Sequence, residues 1–326
     1  MRKYVDMHTH STASDGSYTP AELVDYAEQK QAYAIVLSDH DTVAGIAPAK
    51  RRAKDCGYGV RVISGIEFST AWHKGDIHVL GIGIDETAPE FLSELHIFQE
   101  SRTRRNEKMM ARMAECGFPV SEEAKARYFQ DSSVTRAHFA RFLMESGAVA
   151  SVSEAFAKYL NPGCPCYVPR EKITPFDALE FIRLAHGHAV LAHPMLYHHL
   201  TRDELDALVG EMTAQGMEGI ETLYSTNTPE EEAFTKSLAE KYHLKMTGGS
   251  DFHGIVKPDI DLMTGRGNLK VEKRYLLELL RESASNQTDD SGTIRKSVER
   301  SDEKWERSDC QVNGQTGEKM FGLSGK

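Results

Sequence analysis

The chain has 326 residues, of which 40% are apolar and 27% charged, enough for one large α/β domain or two smaller ones with an ample core. No stretch approaches the roughly 18 apolar residues that cross a bilayer, and a formal net charge of −10 argues against coating duplex DNA, which needs clustered lysine and arginine. With Met1-Arg2-Lys3 running directly into Tyr4-Val5-Asp6-Met7 and no apolar signal core, the expected location is the cytoplasm, with no membrane partner.

Taken in chain order, short apolar runs at Tyr4–Met7, Ala34–Leu37, Val60–Ile63 and Ile77–Ile82 read as buried parallel strands, each followed by polar residues. A helix over 20–30 is predicted between the first two, with Thr19 as N-cap and Pro20 at its first position. The rhythm then breaks: residues 89–182 read as helical, without a strand candidate, and are expected to form an inserted subdomain carrying Arg102, Arg104, Arg105, Arg136 and Arg141, read singly as solvated surface. Strands resume at Ala189–Ala192, Gly219–Leu223 and Leu244–Thr247. Only nine of the last 46 residues are apolar, so 281–326 are expected to be a disordered tail. Alternation of this kind predicts a barrel or a doubly wound sheet built from 1–88 and 183–280.

The ionisable residues cluster at strand ends: His8 and His10 after the first, His40 after the second, Glu67 after the third, His193 after the fifth, Asp251 and His253 after the seventh, with His78 inside the fourth. In a β/α barrel the strand C-termini converge on one face, so these residues should meet. Alternate residues of an extended segment share a side, which lets His8 and His10, and again Asp251 and His253, hold one cation from two directions. Imidazoles suit zinc, manganese or iron and carboxylates bridge two cations, so the mixed set points to a multinuclear transition-metal site. Asp15 is close enough in sequence to reach the same face. Asp39 and Asp41 are expected to orient His40, and Gly248-Gly249 to allow close backbone approach. His186, His188, His198 and His199 fall off the pattern and are read as surface or rim. Five cysteines, an odd number, suggest reduced thiols.

The motifs His8-Thr9-His10-Ser11 with Asp15-Gly16, Ser38-Asp39-His40-Asp41-Thr42, Gly65-Ile66-Glu67, Ala192-His193-Pro194 and Gly249-Ser250-Asp251-Phe252-His253 resemble the PHP (polymerase and histidinol phosphatase) family over about residues 1–270. Within it, Thr135–Arg141 and Tyr167-Val168-Pro169-Arg170 look like the subgroup of 3′,5′-nucleotide bisphosphate phosphatases and 5′-end-trimming exoribonucleases; Tyr224–Asn227 departs from the subgroup's pattern. The resemblance implies a distorted seven-stranded (β/α)7 barrel with an inserted helical subdomain. It also implies three divalent transition metals (Mn2+, Fe2+ or Zn2+): one on His8, His10, Glu67 and Asp251, a second on Glu67, His78 and His193, a third on Asp15, His40 and His253. Asp15, His193 and Asp251 are expected to serve catalysis as well, His138 to offer a proton to the leaving group, and Arg136, Tyr167 and Arg170 to meet the substrate phosphate. The activity so implied is phosphoric ester hydrolysis of a small phosphorylated substrate, first a nucleotide 3′,5′-bisphosphate, then a short 5′-phosphorylated RNA or cyclic sugar phosphate. A non-catalytic metal-stabilised binding module is the alternative outside enzymes. Oligomeric state is open.

Overall fold

The computed structural model describes residues 2–73, 75–129, 134–169 and 173–281, so Arg170 and all of the expected tail beyond Arg281 lie outside the described residues. Among the described residues the order is β1 (Val5–Thr9), α1 (Pro20–Gln29), β2 (Ala34–Leu37), α2 (Ile46–Asp55), β3 (Arg61–Trp72), β4 (Gly75–Ile82), α3 (Pro89–Glu115), α4 (Glu122–Tyr128), α5 (Arg136–Glu145), α6 (Val152–Ala155), α7 (Pro175–Leu184), β5 (His188–Leu191), α8 (Arg202–Ala214), β6 (Gly219–Tyr224), α9 (Pro229–Lys241), β7 (Lys245–Gly249) and α10 (Lys273–Arg281). The seven strands pair in sequence order. The sheet curls until the segment after β7 reaches β1, where Asp251 N donates to His8 O at 2.9 Å and His10 N to Phe252 O at 3.0 Å, nearly closing a barrel.

Every expected strand is present, but one runs the other way. β4 is antiparallel to both β3 and β5, while the pairs β1·β2, β2·β3, β5·β6 and β6·β7 are parallel. The reason lies in β3, which extends past the expected Ile63 to Trp72. Only two residues then separate it from β4 at Gly75, and a parallel crossover needs a dozen or more. Strand and helix faces divide as a period of two requires. Ile35 and Leu37 pack with Leu23, Val24 and Ala49 of α1 and α2, whereas Ala34 and Val36 join Val5, Met7, Val190 and the α10 residues Leu276 and Leu279. Helix α1 opens as expected, with Pro20 at its start and a capping box in which Thr19 and Glu22 exchange side-chain bonds with each other's backbone.

Residues 89–182 contain helices and no strand among the described residues. α3 has two roles. Its first half buries Phe91, Leu95 and Phe98 in one cluster with Phe68 of β3 and Ile182 of α7. Its second half gives Met109 and Met113 to a separate cluster with Phe139, Leu143, Leu160 and Cys166. α7 packs back on the barrel through Ala178, Leu179 and Ile182. The four described cysteines are free thiols.

Closure of the barrel depends on two features. Buried Asp6 accepts from Ser250 N at 2.8 Å, Ser250 Oγ at 2.5 Å and Met263 N at 2.7 Å, binding β1 to the chain beyond β7. Gly249 lies so close to β1 that a Cβ there would strike the His8 side chain and come within 2.6 Å of His8 N, the close approach expected of the glycine pair. Gly249→Ala must push β1 and β7 apart, and we expect a loss of about 3 kcal/mol. Urea unfolding measures it; a midpoint equal to that of the unaltered protein would show the strands can separate freely.

Candidate metal centre

The nine residues expected to hold metals converge at one end of the barrel. From β1 come His8 and, one residue past its end, His10; β2 is followed by His40, β5 by His193, and β7 by Asp251 and His253. Because β4 is antiparallel, it is the beginning of that strand that reaches this end, which places His78 there. Two of these positions and the neighbour of a third carry backbone strain: His193 (φ 26°), Asp251 (φ 57°) and Asp41 (φ 54°), which follows His40, are non-glycine residues in the left-handed region, a conformation that persists where surrounding structure imposes it and that clusters at functional sites.

Glu67, fully buried on β3, stands at the middle. Its Oε2 lies 3.1 Å from both His8 Nε2 and His10 Nε2 and 3.2 Å from His40 Nδ1, and its Oε1 lies 2.9 Å from His78 Nδ1 and 3.0 Å from His193 Nε2. Asp251 Oδ1 adds contacts of 3.5 and 3.3 Å to His8 and His10, and Asp15 Oδ1 lies 3.2 Å from His253 Nε2. Three overlapping groups of donor atoms result among the described residues, each within 4.8 Å: His8, His10, Glu67 and Asp251; His10, Asp15, His40 and His253; and His40, Glu67 and His78. The first matches the implied set. The second adds His10 to the expected trio, and in the third His40 stands where His193 was expected, while His193 meets the same Glu67 oxygen.

The geometry is that of ligands around cations. His8 Nδ1 faces the Glu221 carboxylate at 3.3 Å, and His8 Nε2 points at His10 Nε2 only 3.1 Å away. Two such nitrogens beside two carboxylates repel unless a proton or a metal lies between them. Ligands each about 2.1 Å from one cation are roughly 3.0–3.4 Å from one another, the spacing found here. His10 Nδ1 and His193 Nδ1 are buried without a hydrogen-bond partner among the described residues, a condition that calls for an ion or water. The residues therefore fit a multinuclear transition-metal centre.

Charge follows the same logic. Burial alone would raise Glu67, but the imidazoles of His40, His8 and His78 outweigh it and hold the carboxyl well below the ordinary range. Burial likewise opposes the ionised forms of Asp15 and Asp251, yet His40 and His253 depress the first, and Lys257 and His8 the second. Against its own burial, His10 is raised to about 9 by hydrogen bonds to Asp251 and Glu67. Burial pushes His40 and His253 down, toward the neutral form in which an imidazole can bind a metal.

Around this cluster are residues that sequence reasoning missed or misread. Glu221, buried in β6, takes His8 Nδ1 and also accepts from His193 N at 2.8 Å, so one carboxylate positions two candidate ligands from different strands. A glutamate inside a buried strand was the available signal. Asp39 holds the loop after β1, accepting from Ser11 N at 2.7 Å, Ser11 Oγ at 2.7 Å and Ser14 Oγ at 2.6 Å. Asp41 braces Ser69 N at 2.9 Å and pairs with Arg102. Arg102 and Arg105, expected on the surface, are 2% and 7% exposed, because α3 lies against the barrel along that face; Arg104 stays exposed. His188 is also buried, 2.8 Å from Glu218, and is a strand residue of β5, not a rim residue.

The helical segment reaches the centre at α5. Thr135, its N-cap, donates from Oγ1 to Asp15 Oδ2 at 3.2 Å. Arg136 lies 3.1 Å from Asp76 and 5.9 Å from the Tyr167 ring. His138 Nδ1 accepts from Thr135 N at 3.0 Å and so completes the α5 capping box.

Comparison with known proteins agrees with this chemistry. The PHP domain model matches residues 6–287. Among curated proteins, the chain is 37% identical to the 5′-3′ exoribonuclease Rnm of Escherichia coli over 76% of this chain and 84% of the relative. It is 33% identical to the 3′,5′-nucleoside bisphosphate phosphatase of Chromobacterium violaceum over 76% of this chain and 87% of the relative. A solved chain of Bifidobacterium adolescentis, provisionally described as a metal-dependent phosphoesterase, superposes with TM-score 0.74 at 26% identity, covering 85% of this chain and 95% of that one.

Two outcomes follow. Glu221→Gln keeps the shape but removes the charge that orients His8 and His193, so we expect metal affinity to fall roughly 10- to 100-fold; equilibrium dialysis with metal analysis reads it, and unchanged affinity would mean that Glu221 only packs. Because metal-free His10 titrates at about 9, it holds a proton at neutral pH that an incoming cation must expel, and apparent affinity should rise between about pH 6 and about pH 9. Calorimetric titration in buffers of different ionisation enthalpy counts the protons released; none released at neutral pH would contradict the raised His10.

Proposed function

The chain belongs to the PHP domain family and is a metal-dependent phosphoesterase, and we propose that its substrate is a nucleotide 3′,5′-bisphosphate, from which it hydrolyses one phosphate ester. The centre would hold three divalent cations, Mn2+, Fe2+ or Zn2+, on the nine residues His8, His10, Asp15, His40, Glu67, His78, His193, Asp251 and His253. When bound, these cations supply Lewis acidity at the phosphoryl oxygens and a water acidic enough to attack near neutral pH.

The observation that carries the reading is the tie between α5 and the centre. Thr135 bonds Asp15, and the next residue in the chain is Arg136, with the Tyr167 ring 5.9 Å from its guanidinium. A guanidinium there matches phosphate oxygens with paired N–H groups, and Asp76 keeps it oriented until substrate arrives. Arg170, three residues beyond Tyr167, is proposed as its companion. His138, with Nδ1 accepting from Thr135, carries its N–H on Nε2, where it can donate a hydrogen bond to a leaving oxygen. Asp15 and Asp251 orient the imidazoles and can accept a hydrogen bond from the attacking water, and His193 fixes the Glu67 side of the centre.

A second reading, cleavage of a short 5′-phosphorylated RNA, is favoured by the 37% identity to an exoribonuclease. The two readings involve related esters: a phosphate on the sugar of a 5′-phosphorylated nucleoside is free in the bisphosphate and joined to the next nucleoside in RNA.

The test is phosphate release by Mn2+-loaded protein from adenosine 3′,5′-bisphosphate, compared with cleavage of a short 5′-phosphorylated RNA and of a ribose cyclic phosphate. We expect the bisphosphate to turn over fastest, and His193→Ala to lose at least about 100-fold. Preference for RNA or the cyclic ester moves the assignment to a phosphodiesterase; inactivity on all three with metal bound leaves a non-catalytic binding module.

A further inference from the structure

Beyond the nine candidate ligands and the α5 arginine, a second cation lies against the cluster from the β7 side. The turn after His253 is built for return. Gly254 takes φ 64°, and a Cβ there would strike Ser17 Oγ and approach Tyr18 Cδ2 to 2.8 Å, so only glycine fits. Ser17 Oγ accepts from Ile255 N at 2.9 Å, and Ser17 N donates to His253 O at 3.1 Å, fixing the turn to the loop that carries Asp15. The chain thus doubles back and puts Lys257 Nζ 2.6 Å from Asp251 Oδ2. That oxygen also accepts from Tyr224 OH at 2.6 Å, so Oδ2 is committed and Oδ1 alone faces His8 and His10.

Lys257 is anchored but not used up. An ammonium has three N–H donors. Asp251 takes one, and no described residue accepts the other two from its side chain. Its side chain is 35% exposed, whereas Asp251 beneath it and the adjacent His253 are each 4% exposed. Lys257 is thus the more exposed partner of this pair. Arg136, by comparison, serves the Asp76 side of the centre.

We propose that Lys257 is a substrate-binding residue of this centre, whose two open N–H groups hold an oxygen of the phosphoryl group while Asp251 holds the ammonium in place. This rests on the phosphoesterase reading of the site, but not on which ester is the substrate. A phosphate dianion supplies the acceptors that the ammonium lacks. The alternative task for Lys257 is to hold Asp251 for metal binding alone.

Inorganic phosphate binding to the full chain loaded with Mn2+, followed by calorimetry, separates the two without relying on turnover. Lys257→Met should weaken phosphate binding about tenfold or more, with bound Mn2+ per chain and the melting temperature as in the unaltered protein, and Lys257→Arg should restore most of the affinity. Equal phosphate affinity in Lys257→Met, or no phosphate binding by the unaltered loaded protein, overturns the assignment. So does loss of Mn2+ from Lys257→Met in step with phosphate, which would give Lys257 a positioning role on Asp251. Phosphate binding that depends on Lys257 in a protein that leaves the bisphosphate intact would instead refute the proposed substrate and keep this contact.

Discussion

The structure is organised around one buried carboxylate. Glu67 is surrounded by five imidazoles from four other segments of the barrel end, and each of its oxygens faces a different subset of them. Removing a carboxylate from water is costly unless opposite charge compensates, and at Glu67 that charge must come from protons on the imidazoles or from cations held among them. Only cations or protons can reconcile so many acceptor atoms at contact distance. The barrel end is thus electrostatically incomplete as a set of protein groups, which is what a metal-dependent phosphoesterase requires of it.

That incompleteness has a structural cost, and the surroundings offset it. Left-handed backbone at Asp41, His193 and Asp251 aims side chains that ordinary strand ends would direct elsewhere. The strain is held by bonds from outside the cluster: Asp39 grips the loop after β1, Glu221 ties β6 to His8 and His193, and Asp6 closes β1 on the chain after β7. None of these residues faces the open side.

The helical segment is fastened to the same centre by buried polar contacts, not by apolar packing alone. Arg102 of α3 pairs with Asp41, one residue beyond His40, and also donates to Val134 O at 3.3 Å, where Asn106 donates at 3.0 Å. Thr135 follows and bonds Asp15. A continuous path of hydrogen bonds therefore runs from the loop after β2, through α3, to the start of α5 and back to the loop after β1. The residues proposed to meet substrate are in this way registered against those suited to hold metal.

How much of this could be read from the chain follows from the range of each interaction. Strands, the Thr19 cap and the helical stretch between β4 and β5 are written in local periodicity and turn chemistry, and the histidine and carboxylate motifs stand next to strand ends, so a barrel with a metal centre was legible from sequence. The direction of β4 was not, because it depends on a two-residue link whose neighbours read as a loop. Nor was the burial of Arg102, His188 and Glu221, since a charged side chain looks solvated until its partner, 61 residues away at Asp41 for Arg102 and 213 away at His8 for Glu221, is brought to it. Sequence alone determined which chemistry the residues could perform; tertiary structure decided which of them meet, because the pairing of buried charges is set by strand direction and closure, and neither is encoded within reach of any one motif.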